Sequence, residues 1–99
     1  MKTIRLNDVI NEELKDEEFK LYYEEEQIKN MIAKTVVELR QKEGITQEEL
    51  AKIAHTTQPV IARLEKGTDQ RTPSLKLLNK IAHALGRELS ISFDRPHYI

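Results

Sequence analysis

Residues 47 to 67 read QEELAKIAHTTQPVIARLEKG, and the fold turns on how this stretch divides. Thr46 precedes it with Glu49 three residues on, the reciprocal pairing of a capping box that starts a helix. Leu50, Ile53 and Ala54 then recur at helical spacing as buried positions, until His55, Thr56 and Thr57 break the run. A second helix begins at Gln58, with Thr57 as its cap, carries Ile61 and Leu64 on one side, and stops at Gly67. Leu50, Ala54, Ile61 and Leu64 fall where two such helices pack, and Ala51 is small where they cross most closely.

Two short helices joined by roughly three or four residues, the second apolar on one side and polar on the other, have the layout of a helix-turn-helix. The stretch from Thr46 to Gly67 resembles the Cro/C1-type (XRE) helix-turn-helix family, and is similar to the DNA-binding domains of lambdoid phage repressors. The likeness covers roughly Lys29 to Leu85. It implies a compact helical bundle, a phosphate contact from Gln47, and base contacts from Gln58, Pro59 and Arg63. It also implies that Arg40 pairs with Glu65 as a structural ion pair and does not read bases.

Side-chain chemistry agrees with those roles. Gln58, Ala62 and Lys66 follow one four-residue row of the second helix, and Pro59 and Arg63 follow another, opposite Ile61 and Leu64. A glutamine matches adenine N6 and N7, and an arginine matches guanine O6 and N7. Pro59 has no N–H and offers only apolar contact, for example to a thymine methyl. Thr57 sits at the same end of the helix, and Lys66, Thr68, Gln70 and Arg71 suit phosphate contacts that set register, the lesser alternative for each being a solvated loop. At the end of the first motif helix His55 stands where the family commonly has glycine, so a left-handed residue is expected there.

Outward from the motif, residues 29–43 place Met31, Ile32, Val36 and Leu39 on a stripe that ends at Gly44. Downstream, Thr72 is the expected cap and Pro73 the first residue of a helix burying Leu75, Leu78, Ile81, Ala82 and Leu85 before Gly86. ELSISF, residues 88–93, changes period: Leu89, Ile91 and Phe93 alternate with serines, as in a half-buried strand. One strand cannot satisfy its own backbone, so Leu89, Ile91 and Phe93 are expected to pair with the same strand of a second subunit. Upstream, the spacing predicts two short helices, one over Leu6–Leu14 beside Asn7 and one capped by Asp16 that places Phe19, Tyr22 and Tyr23 together.

The resulting expectation is a mainly α protein: a Cro/C1-type helix-turn-helix bundle over residues 29–86, an N-terminal helical extension over 1–28, and a C-terminal strand and tail over 87–99. At 99 residues with five aromatics and no Trp, the core rests on aliphatic side chains, and so small a body gains from dimerising. No run approaches the about 20 apolar residues needed to span a bilayer, and no secretory leader is visible, so the expected location is cytoplasmic.

The net charge of −1 conceals an asymmetry: residues 1–28 carry four Lys/Arg against nine Asp/Glu, the remainder twelve against eight. An acidic arm beside a mildly basic body invites two different partners, or is simply a solvated face. The order of acidic arm, helix-turn-helix and short strand resembles antitoxins of the HigA-type group from type II toxin–antitoxin pairs. That likeness implies autorepression of an operon and capture of a basic, RelE/HigB-like ribonuclease toxin. Glu13, Asp16, Glu17 and Glu26 would attract such a partner, and Phe19, Tyr22 and Tyr23 would anchor it or pack onto the domain's own first helix. The alternatives are a stand-alone repressor with a structural arm and a protein-binding inhibitor with a disused DNA motif.

Catalysis has little support in the sequence. There is no Cys, the three histidines lack metal-ligand spacing, and neither a phosphate loop nor a nucleophile elbow occurs. The expectation is therefore a non-enzyme with no cofactor and no metal, partnered by double-stranded DNA, a toxin and a second copy of itself.

Overall fold

A computed structural model describes residues 6–67 and 71–96, with side chains from residue 16 onward. Helix α1 spans Leu6–Lys42, α2 Gln47–Ile53, α3 Gln58–Lys66 and α4 Leu75–Ala84, and no strand occurs among the described residues. None of these helices is long and apolar enough to cross a membrane.

The 37 residues of α1 run to about 55 Å at 1.5 Å per residue, which accounts for the 57 Å long dimension of a molecule only 29 by 22 Å across. Two short helices expected before residue 28 are thus one helix continuous with the first bundle helix, and Asn7 and Asp16 lie inside it. The reason is the absence of a breaker: no Gly or Pro precedes Gly44. A mid-helix Asn or Asp costs no more than about 0.7 kcal/mol against Ala, too little to stop a helix rich in Glu, Lys and Leu.

Around the motif the bundle closes on Val36, Leu50, Ala51, Ala54, Ile61, Leu64, Ile81 and Leu85, with Leu50 and Ile61 wholly buried. Ala33 is buried as well, facing α3 from α1. Three residues expected in the core, Met31, Ile53 and Leu75, are each more than half exposed. Each lies on a row beside the buried one: at about 100° per residue, Met31 stands about 140° round the helix from Val36. Leu75 is similarly displaced from the Ile81–Leu85 side, and Ile53 from the side shared by Leu50, Ala51 and Ala54.

Helix ends follow local chemistry. Ser74, not Thr72, caps α4, its Oγ accepting from the Leu77 N–H at 3.0 Å, so Pro73 precedes the cap instead of opening the helix. Pro73 biases Thr72 toward extended backbone, which delays the start. After α1, α2 and α4 the chain turns in the same way, with paired bonds back to the last turn: Ile45 and Gly44 to Arg40 and Gln41, Thr56 and His55 to Ala51 and Lys52, Arg87 and Gly86 to Ala82 and His83. The left-handed residue is glycine in two of these turns and His55, at φ 55°, in the third.

Residues 87–96 leave the bundle without a ladder. Leu89 is half-buried, Ile91 is largely exposed and Phe93 wholly so. The expected strand over Leu89–Phe93 is absent because a strand requires a partner for its backbone N–H and C=O groups, and none of the described residues offers one.

Candidate nucleic-acid interface

The α2–α3 pair forms the helix-turn-helix. Thr46 opens α2 with a complete capping box: the Glu49 N–H donates to Thr46 Oγ1 at 3.0 Å, and the Thr46 N–H donates to Glu49 Oε1 at 3.1 Å. Leu50, Ala51, Ala54, Ile61 and Leu64 are buried between the helices and their neighbours, leaving the opposite side of α3 to solvent.

Thr57 occupies the N-cap of α3 in extended conformation, but its side chain makes no cap bond. A cap side chain accepts from the second or third helical N–H. Here the second is Pro59, which has none, and the third, Val60, donates to the Thr57 carbonyl at 3.1 Å. The exposed hydroxyl therefore keeps its bonding capacity at the end of the helix where Gln58 and Pro59 also stand.

Gln47 and Gln58, expected as separate DNA contacts, are tied together. The Arg40 guanidinium donates twice to the Glu65 carboxylate, Nε to Oε2 at 2.7 Å and Nη2 to Oε1 at 3.0 Å, and donates from Nη1 to the Ile45 carbonyl at 2.9 Å. Gln47 Nε2 donates to Glu65 Oε1 at 3.0 Å, and Gln58 Nε2 donates to Gln47 Oε1 at 2.9 Å. The carboxylate fixes the polarity of this chain: Glu65 only accepts, so Gln47 turns its amide N–H inward and its oxygen toward Gln58. Gln58 then retains its carbonyl oxygen and one N–H, the acceptor–donor pair that adenine N6 and N7 require.

Arg40 and Glu65 are the anchor. Their side chains are 15% and 5% exposed, and the bidentate bond to Glu65 raises the Arg40 pKa, with burial opposing it. A carboxylate so placed without its arginine would be a desolvated charge with no counterion.

Pro59, Arg63 and Lys66 are exposed along α3, Ala62 and Gln58 half-buried between them, and Arg71 exposed beyond it. Thr68 and Gln70 lie outside the described residues. Arg63 and Arg71 border one cleft of about 270 Å³ with Lys29, a cation the sequence reading assigned to no site. Lys29 lies 3.4 Å from Glu26 and 3.8 Å from Glu25, so the last acidic turn of the arm sits beside the reading face. The glutamates three and four residues before it carried the signal that it would be held there. Gly67, at φ 66°, lets α1 approach: a Cβ on it would come within 2.9 Å of Asn30 Oδ1.

The toxin-facing candidates occupy one isolated stretch. Asp16, Glu17, Phe19, Tyr22 and Tyr23 are exposed, Glu26 is half-buried, and the side chain of Glu13 lies outside the described residues. Phe19 and Tyr23 stack with ring centres 6.4 Å apart and planes 14° from parallel. None of the three aromatics packs into the bundle, because each stands on α1 itself, before that helix reaches it. No group of three or more His, Cys, Asp or Glu able to hold a metal occurs among the described residues.

A short, solvent-facing helix with a glutamine and an arginine on its open side, braced by a second helix, defines a helix-turn-helix DNA-binding protein. Residues 36–91, more than half of the chain, match the helix-turn-helix family model, and the chain belongs to that XRE-type family. It is similar to an uncharacterized HTH-type transcriptional regulator of Haemophilus influenzae, 39% identical over 68% of this chain and 66% of that one. It is also similar to one of Methanothermobacter thermautotrophicus, 48% identical over 56% of this chain and 78% of that one. The chain thus spans just under two thirds of the first relative and more than three quarters of the second. No solved structure matches it. DNA-binding transcription regulation is the function these findings support.

Proposed function

We propose that the protein is the antitoxin of a type II toxin–antitoxin pair, a dimeric repressor of its own operon that captures a basic ribonuclease toxin. The observation that carries this reading is the arm: residues 16–25 are all exposed, five of these ten are Asp or Glu, and three aromatics stand among the carboxylates. A stand-alone regulator has no evident use for a rod of this kind, whereas a basic partner is drawn by its charge and anchored by its rings. Residues 1–28 serve the toxin, 29–86 the DNA and 87–99 the dimer.

On DNA, each subunit sets α3 in the major groove, with half-sites about 34 Å apart. Gln58, Pro59, Ala62 and Arg63 face the bases, and Thr57, Lys66, Thr68, Gln70 and Arg71 the backbone. Gln47 both supports Gln58 and reaches phosphate through its second N–H. The segment Leu89–Phe93 becomes a strand on meeting its counterpart, which supplies the missing ladder and covers Ile91 and Phe93. The relatives' names favour the alternative of a regulator without a toxin.

The test is co-expression with the adjacent reading frame. A small basic protein, toxic alone and co-purifying with this one, is the expected result; an adjacent frame with no toxic product, or no complex, overturns the antitoxin reading. Size exclusion tests the dimer: the chain elutes as a dimer and Ile91→Pro as a monomer.

A further inference from the structure

The exposed apolar side chains of the arm fall on two sides of α1, Phe19, Tyr22 and Tyr23 on one and Leu21 and Ile28 on the other. Leu21 and Ile28, 64% and 56% exposed, stand seven residues apart and therefore on one row. Thr35 continues the row by another seven, with Met31 beside it, and both line an apolar groove of about 290 Å³ between α1, α4 and the C-terminal segment. Leu39, Leu78, Ala82 and Leu89 form its walls. The apolar surface is continuous from Ile28 to the groove, and Leu21 extends its row by one heptad, about 10 Å further along the helix, beyond Glu24 and Glu25.

The borders of the strip identify what fits it. On a helix the surface neighbours of a residue are those three and four positions away. For Leu21 all four are glutamates, Glu17, Glu18, Glu24 and Glu25, each exposed. For Ile28 two are Glu24 and Glu25, and the other two are Met31 and Ile32. A second arm laid along this row sets glutamate against glutamate in either direction, so a copy of this chain is disfavoured. A helix whose apolar stripe is flanked by Lys or Arg meets both the row and its borders.

We infer that the Leu21–Ile28–Met31 strip and the groove below it form the docking seam for a basic amphipathic helix of the partner protein. This rests on the antitoxin reading for the partner's identity, but places its principal contact on the aliphatic side of α1, away from Phe19, Tyr22 and Tyr23. The seam supplies apolar burial, and the glutamate borders set partner sign and register, as flanking charges do along helix pairs.

The experiment uses the full chain and a synthetic helix of about 21 residues, three heptads, with Leu along one stripe and Lys on both sides. Fluorescence anisotropy reads binding, and circular dichroism confirms that the variants remain helical, as substitutions at exposed positions should. The expected result is saturable binding that Leu21→Ser and Ile28→Ser each weaken by at least about tenfold, while Gln27→Ser, at an exposed position off the row, leaves it within about twofold. Equal binding of a composition-matched scrambled peptide, or of a twin with Glu in place of Lys, overturns the seam. So does a loss confined to Tyr22→Ser, or a dimer of the full chain that Ile28→Ser dissociates. The two readings fail separately. A cognate toxin retained undiminished by the Ile28→Ser protein removes the seam but keeps the antitoxin, whereas absence of any toxin removes the antitoxin and leaves the peptide measurement to decide the seam.

Discussion

Between Ala33 and Leu39, α1 buries one side against the bundle; between Asp16 and Glu25 the same helix buries nothing. The lower stretch is held by packing, and its identity is constrained by volume. The upper stretch is held by helix propensity and short-range pairs such as Lys29 with Glu25 and Glu26, so its side chains are free to be chosen for a partner. One helix therefore links a surface held by packing to a surface that packs against nothing in the chain's described residues, with no Gly or Pro between them.

The sharpest way to break that contrast is to truncate on both sides of it. Leu50→Ala, deep in the bundle, is expected to lower the unfolding free energy by about 2–5 kcal/mol, while Leu21→Ala on the arm stays within about 0.5 kcal/mol. Urea denaturation followed by circular dichroism measures both. A large effect at Leu21 means that the arm packs on something in solution and is not a free rod. Arg40→Ala follows in size, with a loss of about 3 kcal/mol, because it leaves the Glu65 carboxylate buried without its counterion and Gln47 without a fixed anchor. An unchanged midpoint for that variant removes the ion pair from the account of stability.

The reading head carries the next effects. Arg63→Ala is expected to weaken specific binding to the operon's own upstream DNA by about 1–3 kcal/mol and relax its sequence preference. Gln47 and Gln58 are expected to be non-additive: a double-mutant cycle with alanine at each should return a coupling of at least about 0.5 kcal/mol. Gel-shift titrations at fixed salt test both, and strict additivity would sink the proposed transmission from Glu65 to Gln58.

Much of this was legible beforehand where a signal is local or periodic. The Thr46–Glu49 capping box depends on residues three apart, and Leu50, Ile61 and Leu64 recur at a spacing that only one packing satisfies. Where two rows compete, periodicity misleads: Met31, Ile53 and Leu75 each fit an i+3 or i+4 pattern yet fall on the neighbouring, exposed row. The break expected inside α1 is absent although Asp16 is a capping type, because a cap is read from sequence whether or not the preceding chain continues as helix. The Arg40–Glu65–Gln47–Gln58 chain spans three helices, and no spacing along the sequence encodes which polar tips meet across them. The strand expected over residues 89–93 is not formed, because alternation in the sequence marks a side-chain period and does not supply the ladder partner that a strand needs.

The smallest expected effect tests the hinge of the motif. His55 is the non-glycine residue of positive φ among the described residues, at 55°, in the same paired-bond turn that Gly44 and Gly86 form elsewhere. A side chain in that conformation costs roughly 1–2 kcal/mol relative to glycine, while glycine increases the freedom of the unfolded chain by about 0.4–1 kcal/mol. The two oppose each other, and the steric term is the larger, so His55→Gly should stabilise the fold by up to about 1 kcal/mol and raise the thermal midpoint by a few degrees. The imidazole is exposed and borders the cleft between α2 and α4, away from the open side of α3, so operator affinity should not change. A lowered midpoint instead shows that His55 makes a contact worth more than its backbone strain, and that this turn is held by its side chain as well as by the two hydrogen bonds from Thr56 and His55.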